Sequence, residues 1–351
     1  MPRSRLRKLT VLPFVAALLA IEIARSAAAN PGLTADWPDP ATISQVVQED
    51  ATLDSSSPYL LTDVDKKRAP ATTVHGTLFL PPGPHAPHSV PAVVMLHGSS
   101  GVLAARELTY GRQLAAMGIA VLVVDSFGGR RDRGSSYIER LLNITETMFI
   151  ADGYAALRQL AARPEIDSKR VVLAGFSYGA IAATYALMTE VADRMAPPGL
   201  RFAGHVSFYG PCLARFDDRR TTGAPLLMLY GGDDQIIDHE RCAAFADDLL
   251  SGGSEVDVIA YPGAVHQWDG PFGRRLIGRN VVACDFVVRR DGSVQDRNNG
   301  FVMSNQATRE LMLSTCVTDK PYPIGRDDAV RQQSNRDFGR FLARVFGLPP
   351  E

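Results

Sequence analysis

The sequence predicts an α/β protein whose mostly parallel sheet is covered by helices on both faces. Three observations predict it. Short apolar runs alternate with helical ones along most of the chain, the pattern of strand–helix–strand units. Several of those runs, such as Val-Val-Met-Leu at 93–96 and Val-Leu-Val-Val at 121–124, are continuously apolar, as a sheet buried on both faces requires. One run, ending at Ala174, leads through Gly175-Phe-Ser-Tyr-Gly179 into a stretch of small residues suited to a helix.

Taken in order, the expected strands are Val74–Leu80, Ala92–Leu96, Ile119–Asp125, Val171–Ala174, Ala203–Tyr209, Pro225–Tyr230 and Val256–Tyr261. The expected helices between them are Leu103–Met117, Thr145–Ala162, Ala180–Met188 and His239–Leu250. Residues 30–71, rich in Pro, Asp, Ser and Thr with weak periodicity, read as an extended N-terminal arm. Residues 72–351 read as one catalytic domain. It is interrupted near its C-terminal end by an insertion at 281–316 whose Asp291-Gly292 signals a hairpin turn. Val330, Phe338, Phe341, Leu342, Val345 and Phe346 then share one face of a closing helix.

The first 29 residues are different material. A basic start (Arg3, Arg5, Arg7, Lys8), an apolar run from Leu9 to Ala20 and Ala27-Ala28-Ala29 form the pattern of a cleaved signal peptide. Glu22 cuts the apolar run short of the roughly 20 residues a membrane span needs. The expected location is therefore secreted or periplasmic, with no stable membrane span in the mature chain. Removing residues 1–29 takes away five basic side chains and one acidic one, leaving 32 basic against 37 acidic and a net charge of −5. That balance excludes the electrostatic footprint of a nucleic-acid binder.

Four cysteines stand at 212, 242, 284 and 316, none in a C-x-x-C pair, which removes support for a zinc ribbon or redox site. An even number in an exported chain favours two disulfides, and three pairings are open. The topology favours Cys212–Cys242, at neighbouring ends along one sheet edge, and Cys284–Cys316, bracketing the insertion.

The chemistry concentrates in four places. A strand, a G-x-S-x-G turn and a helix lift the Ser177 hydroxyl out of the sheet, with the helix N-terminus beneath it. A serine nucleophile needs a base, and the base an orienting acid, which in this architecture follow in the order acid, then histidine. Asp233 and Asp234 sit just past the strand ending at Tyr230, at the carboxyl edge where ligands bind in open α/β sheets. His266 follows the next strand on a loop, whereas His239 lies at a helix start and His97 belongs to a turn. That turn, His97-Gly98-Ser99-Ser100-Gly101, can aim the Ser99 N–H, together with that of Tyr178, at one developing oxyanion.

These stretches, with Val124-Asp125-Ser126-Phe127 and Gly231-Gly232-Asp233-Asp234, resemble the dienelactone hydrolase family of α/β-hydrolases over about residues 72–270 and the final helix. The resemblance implies an α/β-hydrolase fold with Ser177 as nucleophile, Asp234 as acid and His266 as base. It implies Ser99 and Tyr178 N–H groups as the oxyanion hole, and no metal or cofactor. A carboxylate-binding arginine follows the corresponding strand in the family. Arg130 is the candidate for that substrate-binding role, one residue out of register, in a run with Arg131 and Arg133 that otherwise reads as a solvated loop. The chain departs from the family in having serine in place of its cysteine nucleophile and Gly98 where a glutamate stands. The implied activity is therefore that of a serine hydrolase on small carboxylic esters or lactones. The rival readings are a prolyl-oligopeptidase-like peptidase and a non-catalytic binding module with a vestigial triad.

Overall fold

The structure, a computed structural model, describes residues 32–134 and 136–349; the segment 1–29, expected to be a signal peptide, lies outside them. The strands are β1 (Val47–Ser56), β2 (Ala71–Leu80), β3 (Val90–Leu96), β4 (Ala120–Asp125), β5 (Ile166–Phe176), β6 (Gly204–Phe208), β7 (Ala214–Phe216), β8 (Leu226–Gly231), β9 (Val256–Tyr261), β10 (Arg275–Ile277), β11 (Phe286–Val288), β12 (Val294–Asp296), β13 (Val302–Met303) and β14 (Tyr322–Ile324). The α-helices are α1 (Leu61–Asp65), α2 (Thr109–Ala116), α3 (Tyr137–Asn143), α4 (Glu146–Ala161), α5 (Tyr178–Tyr185), α6 (Thr189–Met195), α7 (His239–Ser251), α8 (Gln306–Cys316) and α9 (Asp328–Phe346). All seven expected strands are present.

Eight strands form the central sheet in the order β1-β2-β4-β3-β5-β6-β8-β9. β1 and β2 are antiparallel, and every pair from β4 through β9 is parallel. The continuous apolar runs divide by alternation between two cores. Val94 and Leu96 of β3 enter the cluster beneath α4 and α5, while Val93 and Met95 enter the one beneath α2 and α9. The closing helix buries Phe338, Phe341, Leu342 and Phe346 as its spacing predicts, with Val330 and Val345 packed at the margin.

The arm is the main correction. Residues 47–56 pair with β2 along their whole length and form the edge strand of the sheet. Only Ala51 and Leu53 are buried there, and Gln48, Asp50, Thr52 and other polar residues face outward, so no apolar alternation betrayed a strand.

The insertion contains the expected hairpin, β11 against β12, closed by the Arg289 N–H donating to Ser293 O at 2.8 Å. β13 extends it, and β7 of the main domain pairs parallel with β11, so the insertion continues a small four-stranded sheet. Cys212–Cys242 and Cys284–Cys316 are the two disulfides, as the topology favoured. The second closes a segment with a sequence separation of 32. Changing both Cys284 and Cys316 to alanine should lower unfolding free energy by about 3–4 kcal/mol, because the unfolded chain regains the freedom that the cross-link removes. Urea denaturation should show this as a lower midpoint; an unchanged midpoint would reject it. No helix of the described residues is long and apolar enough to cross a membrane.

Candidate active site

β5 ends at Phe176 and α5 begins at Tyr178, leaving Ser177 alone in the turn with φ +51° and ψ −107°. A non-glycine residue held there stores about 1–3 kcal/mol of backbone strain. The turn is possible only because its flanks lack side chains. A Cβ on Gly175 would collide with the Gly179 carbonyl, and one on Gly179 with the carbonyls of Leu96 and His97. Phe208 O, at the end of β6, accepts the Ser177 N–H at 2.9 Å and pins the turn to the neighbouring strand.

His266 arrives from the loop after β9, with its Nε2 2.9 Å from Ser177 Oγ. On its other side, Nδ1 lies 2.7 Å from Asp234 Oδ2. The second carboxylate oxygen of Asp234 accepts the Ile236 N–H at 3.2 Å, which orients the acid. All three side chains are buried. Asp233 is exposed, its N–H donating to Ala264 O, so of the two adjacent acids only Asp234 meets the imidazole. His239 packs on Tyr230 at the start of α7. His97 is fully buried with Nδ1 2.7 Å from Gly98 O, and burial pushes its pKa down, keeping it neutral.

The turn at Gly98 to Gly101 is closed by a 3.0 Å backbone hydrogen bond. A Cβ added at Gly98 would stand 3.5 Å from the Ser177 Cβ, so the turn that carries Ser99 lies beside Ser177. Tyr178 is the first residue of α5, where an N–H has no helical carbonyl to meet.

Arg130 occupies a different place from either sequence reading. It is buried rather than solvated, and its guanidinium donates to both oxygens of Asp152 at 2.7 and 2.8 Å, to Ser57 Oγ, and to the carbonyls of Ser56 and Ser126. All five N–H donors are engaged, and none remains for a substrate carboxylate. The residue ties β1 to α4.

Sequence reasoning missed a buried group behind the histidine. Tyr209, with φ +43°, lays its ring edge-on to His266 at 4.8 Å between centroids. Its hydroxyl donates to Asp269 at 2.6 Å and accepts from Arg106 at 3.3 Å. Burial disfavours the Arg106 charge, but the adjacent Glu107 at 2.7 Å outweighs that and keeps it protonated. Burial also raises the pKa of Asp269. Asp269 lies three residues beyond His266, so its bond to Tyr209 clamps the histidine loop to β6. The adjacency of Arg106 and Glu107 was the only trace in the sequence.

Residues 74–273, more than half of the chain, match the dienelactone hydrolase family. The chain belongs to that family. The family match contains Ser99, Ser177, Asp234 and His266 and stops before the insertion. Among curated proteins, the chain is 25% identical over 144 residues to acyl-protein thioesterase 1 homolog 1 of Dictyostelium discoideum, a match spanning 41% of this chain and 58% of the relative's length. Among solved structures, it is similar to puromycin hydrolase (TM-score 0.50, 17% identity, 87% of this chain and 40% of that one). It is also similar to a dienelactone hydrolase-like promiscuous phosphotriesterase from metagenomic libraries (TM-score 0.45, 18% identity, 77% of this chain and 99% of that one). The likeness to puromycin hydrolase is one of fold.

Proposed function

We propose that this protein is an exported serine esterase that cleaves small carboxylic esters or lactones through an acyl-enzyme on Ser177. The observation that carries the reading is the unbroken chain of hydrogen bonds from Ser177 Oγ through His266 to Asp234, set on a strained strand-to-helix turn. Ser177 Oγ attacks the substrate carbonyl as His266 Nε2 takes its proton. Asp234 holds the Nδ1–H tautomer and stabilises the imidazolium that forms. The N–H groups of Ser99 and Tyr178 receive the developing oxyanion. His266 then returns the proton to the leaving alcohol, and a water activated by the same imidazole frees the acid. This scheme calls on no metal and no cofactor.

A general ester is favoured over the dienelactone itself. Ser177 replaces the expected cysteine, and the guanidinium of Arg130 is wholly engaged by Asp152 and its neighbours. Export is supported by the pattern of residues 1–29 and by two disulfides, which persist in oxidising compartments.

An active-site-directed fluorophosphonate should add covalently to Ser177, seen by mass spectrometry of the peptide containing it, and hydrolysis of p-nitrophenyl acetate, butyrate and octanoate should give the chain-length preference. Failure to label, with no ester turnover, would reject the enzyme in favour of a binding module. Turnover of peptide p-nitroanilides without ester turnover would favour a peptidase.

A further inference from the structure

The insertion lies beyond the residues that match the family, yet one of its side chains reaches the residue next to the nucleophile. α8 buries Arg309, Met312 and Cys316, one face of the helix by their spacing, and Cys316 is tied to Cys284. The Arg309 guanidinium donates to both carboxylate oxygens of Glu146 at 3.1 Å each and to Leu141 O at 3.1 Å. Its Nη2 also donates to the Tyr178 hydroxyl at 3.2 Å. Burial disfavours that charge, and the neighbouring Glu146 more than restores it.

Tyr178 is thereby held at its far end. Its hydroxyl accepts from Arg309 and donates to Ile144 O at 2.9 Å, and its ring packs edge-on against Phe149 at 5.1 Å. Burial pushes the phenol well above its ordinary pKa, so it remains a neutral donor. The other end of the same residue carries the N–H at the start of α5, beside Ser177.

We propose that Arg309 is a positioning residue. By holding the Tyr178 hydroxyl it fixes the Tyr178 backbone N–H toward the oxyanion, making the insertion a working part of the catalytic domain. The proposal rests on the serine-esterase reading above. An oxyanion donor acts only when it stands about 2.7–3.1 Å from the oxygen, and a misplacement of about 1 Å can cost about 10²-fold in rate. A planar guanidinium can donate to both oxygens of a carboxylate and still serve a carbonyl and a hydroxyl, four bonds where a lysine ammonium has three donors.

The test measures kcat and KM on p-nitrophenyl acetate, with thermal unfolding, for the full chain and for Tyr178→Phe, Arg309→Met, their double variant and Ser177→Ala. Tyr178→Phe deletes one hydroxyl and keeps the backbone N–H. It should lower kcat about tenfold with KM within about twofold, since the lost interaction is one made in the transition state. Arg309→Met should lower kcat at least as much, and the double variant should be no worse than Arg309→Met, because both break one link. Wild-type kcat in Tyr178→Phe, or single effects that multiply in the double variant, would overturn the proposal. Where Arg309→Met fails to fold, Tyr178→Phe decides alone. An active Ser177→Ala would overturn the esterase reading and this proposal with it, whereas an inactive Ser177→Ala beside a fully active Tyr178→Phe overturns only the positioning role.

Discussion

Ser177→Ala should lower kcat/KM for p-nitrophenyl acetate by about 10⁴-fold or more while leaving the thermal midpoint nearly unchanged. The serine hydroxyl stands 2.9 Å from His266 Nε2. Its removal leaves the imidazole with no nucleophile to activate. What survives would be hydrolysis by water, helped only by the oxyanion donors. The fold should tolerate the change, because the alanine keeps the same turn and loses one hydrogen bond worth about 1 kcal/mol. Equal rates in the two proteins would remove Ser177 from the mechanism.

Asp234→Asn should cost about 10⁴-fold in kcat, and Asp233→Asn less than about twofold. The two residues are adjacent in the chain but differ completely in surroundings. Asp234 is buried with one oxygen on the imidazole and the other on a backbone N–H; Asp233 faces solvent. An asparagine at 234 would present an amide where a carboxylate must accept, favouring the wrong tautomer of His266 and withdrawing the charge that stabilises its protonated form. The steady-state rates of both variants, measured beside circular dichroism spectra, decide the matter. A larger loss at Asp233 than at Asp234 would show that the acid has been assigned one residue out of register.

The candidate triad was legible because each member follows a parallel strand, and the runs that lead to Ser177 and Asp234 are continuously apolar and buried, the plainest feature of such a sequence. β5, β8 and β9 each end where the chain turns toward the same edge, so Ser177, Asp234 and His266 meet whatever the details of packing. β1 was not legible. An edge strand buries only part of one face, and here that part is little more than Ala51 and Leu53. Arg130 was misread for a related reason. Among Arg131, Asp132 and Arg133 it resembles any charged loop residue, and its partner Asp152 stands 22 residues further on.

From its order of residues alone, the chain determined the layered sheet, the turn bearing the serine, and the chain order in which Asp234 and His266 follow it. Those are set by periodicity and by the short-range demands of a strand running into a turn. Only the tertiary structure decided where the buried charges go across the fold: Arg130 to Asp152, Arg106 to Tyr209, Arg309 to Glu146 and Tyr178. A charge leaves water only where a partner is already waiting, and that partner is chosen by which elements pack together rather than by the residues on either side.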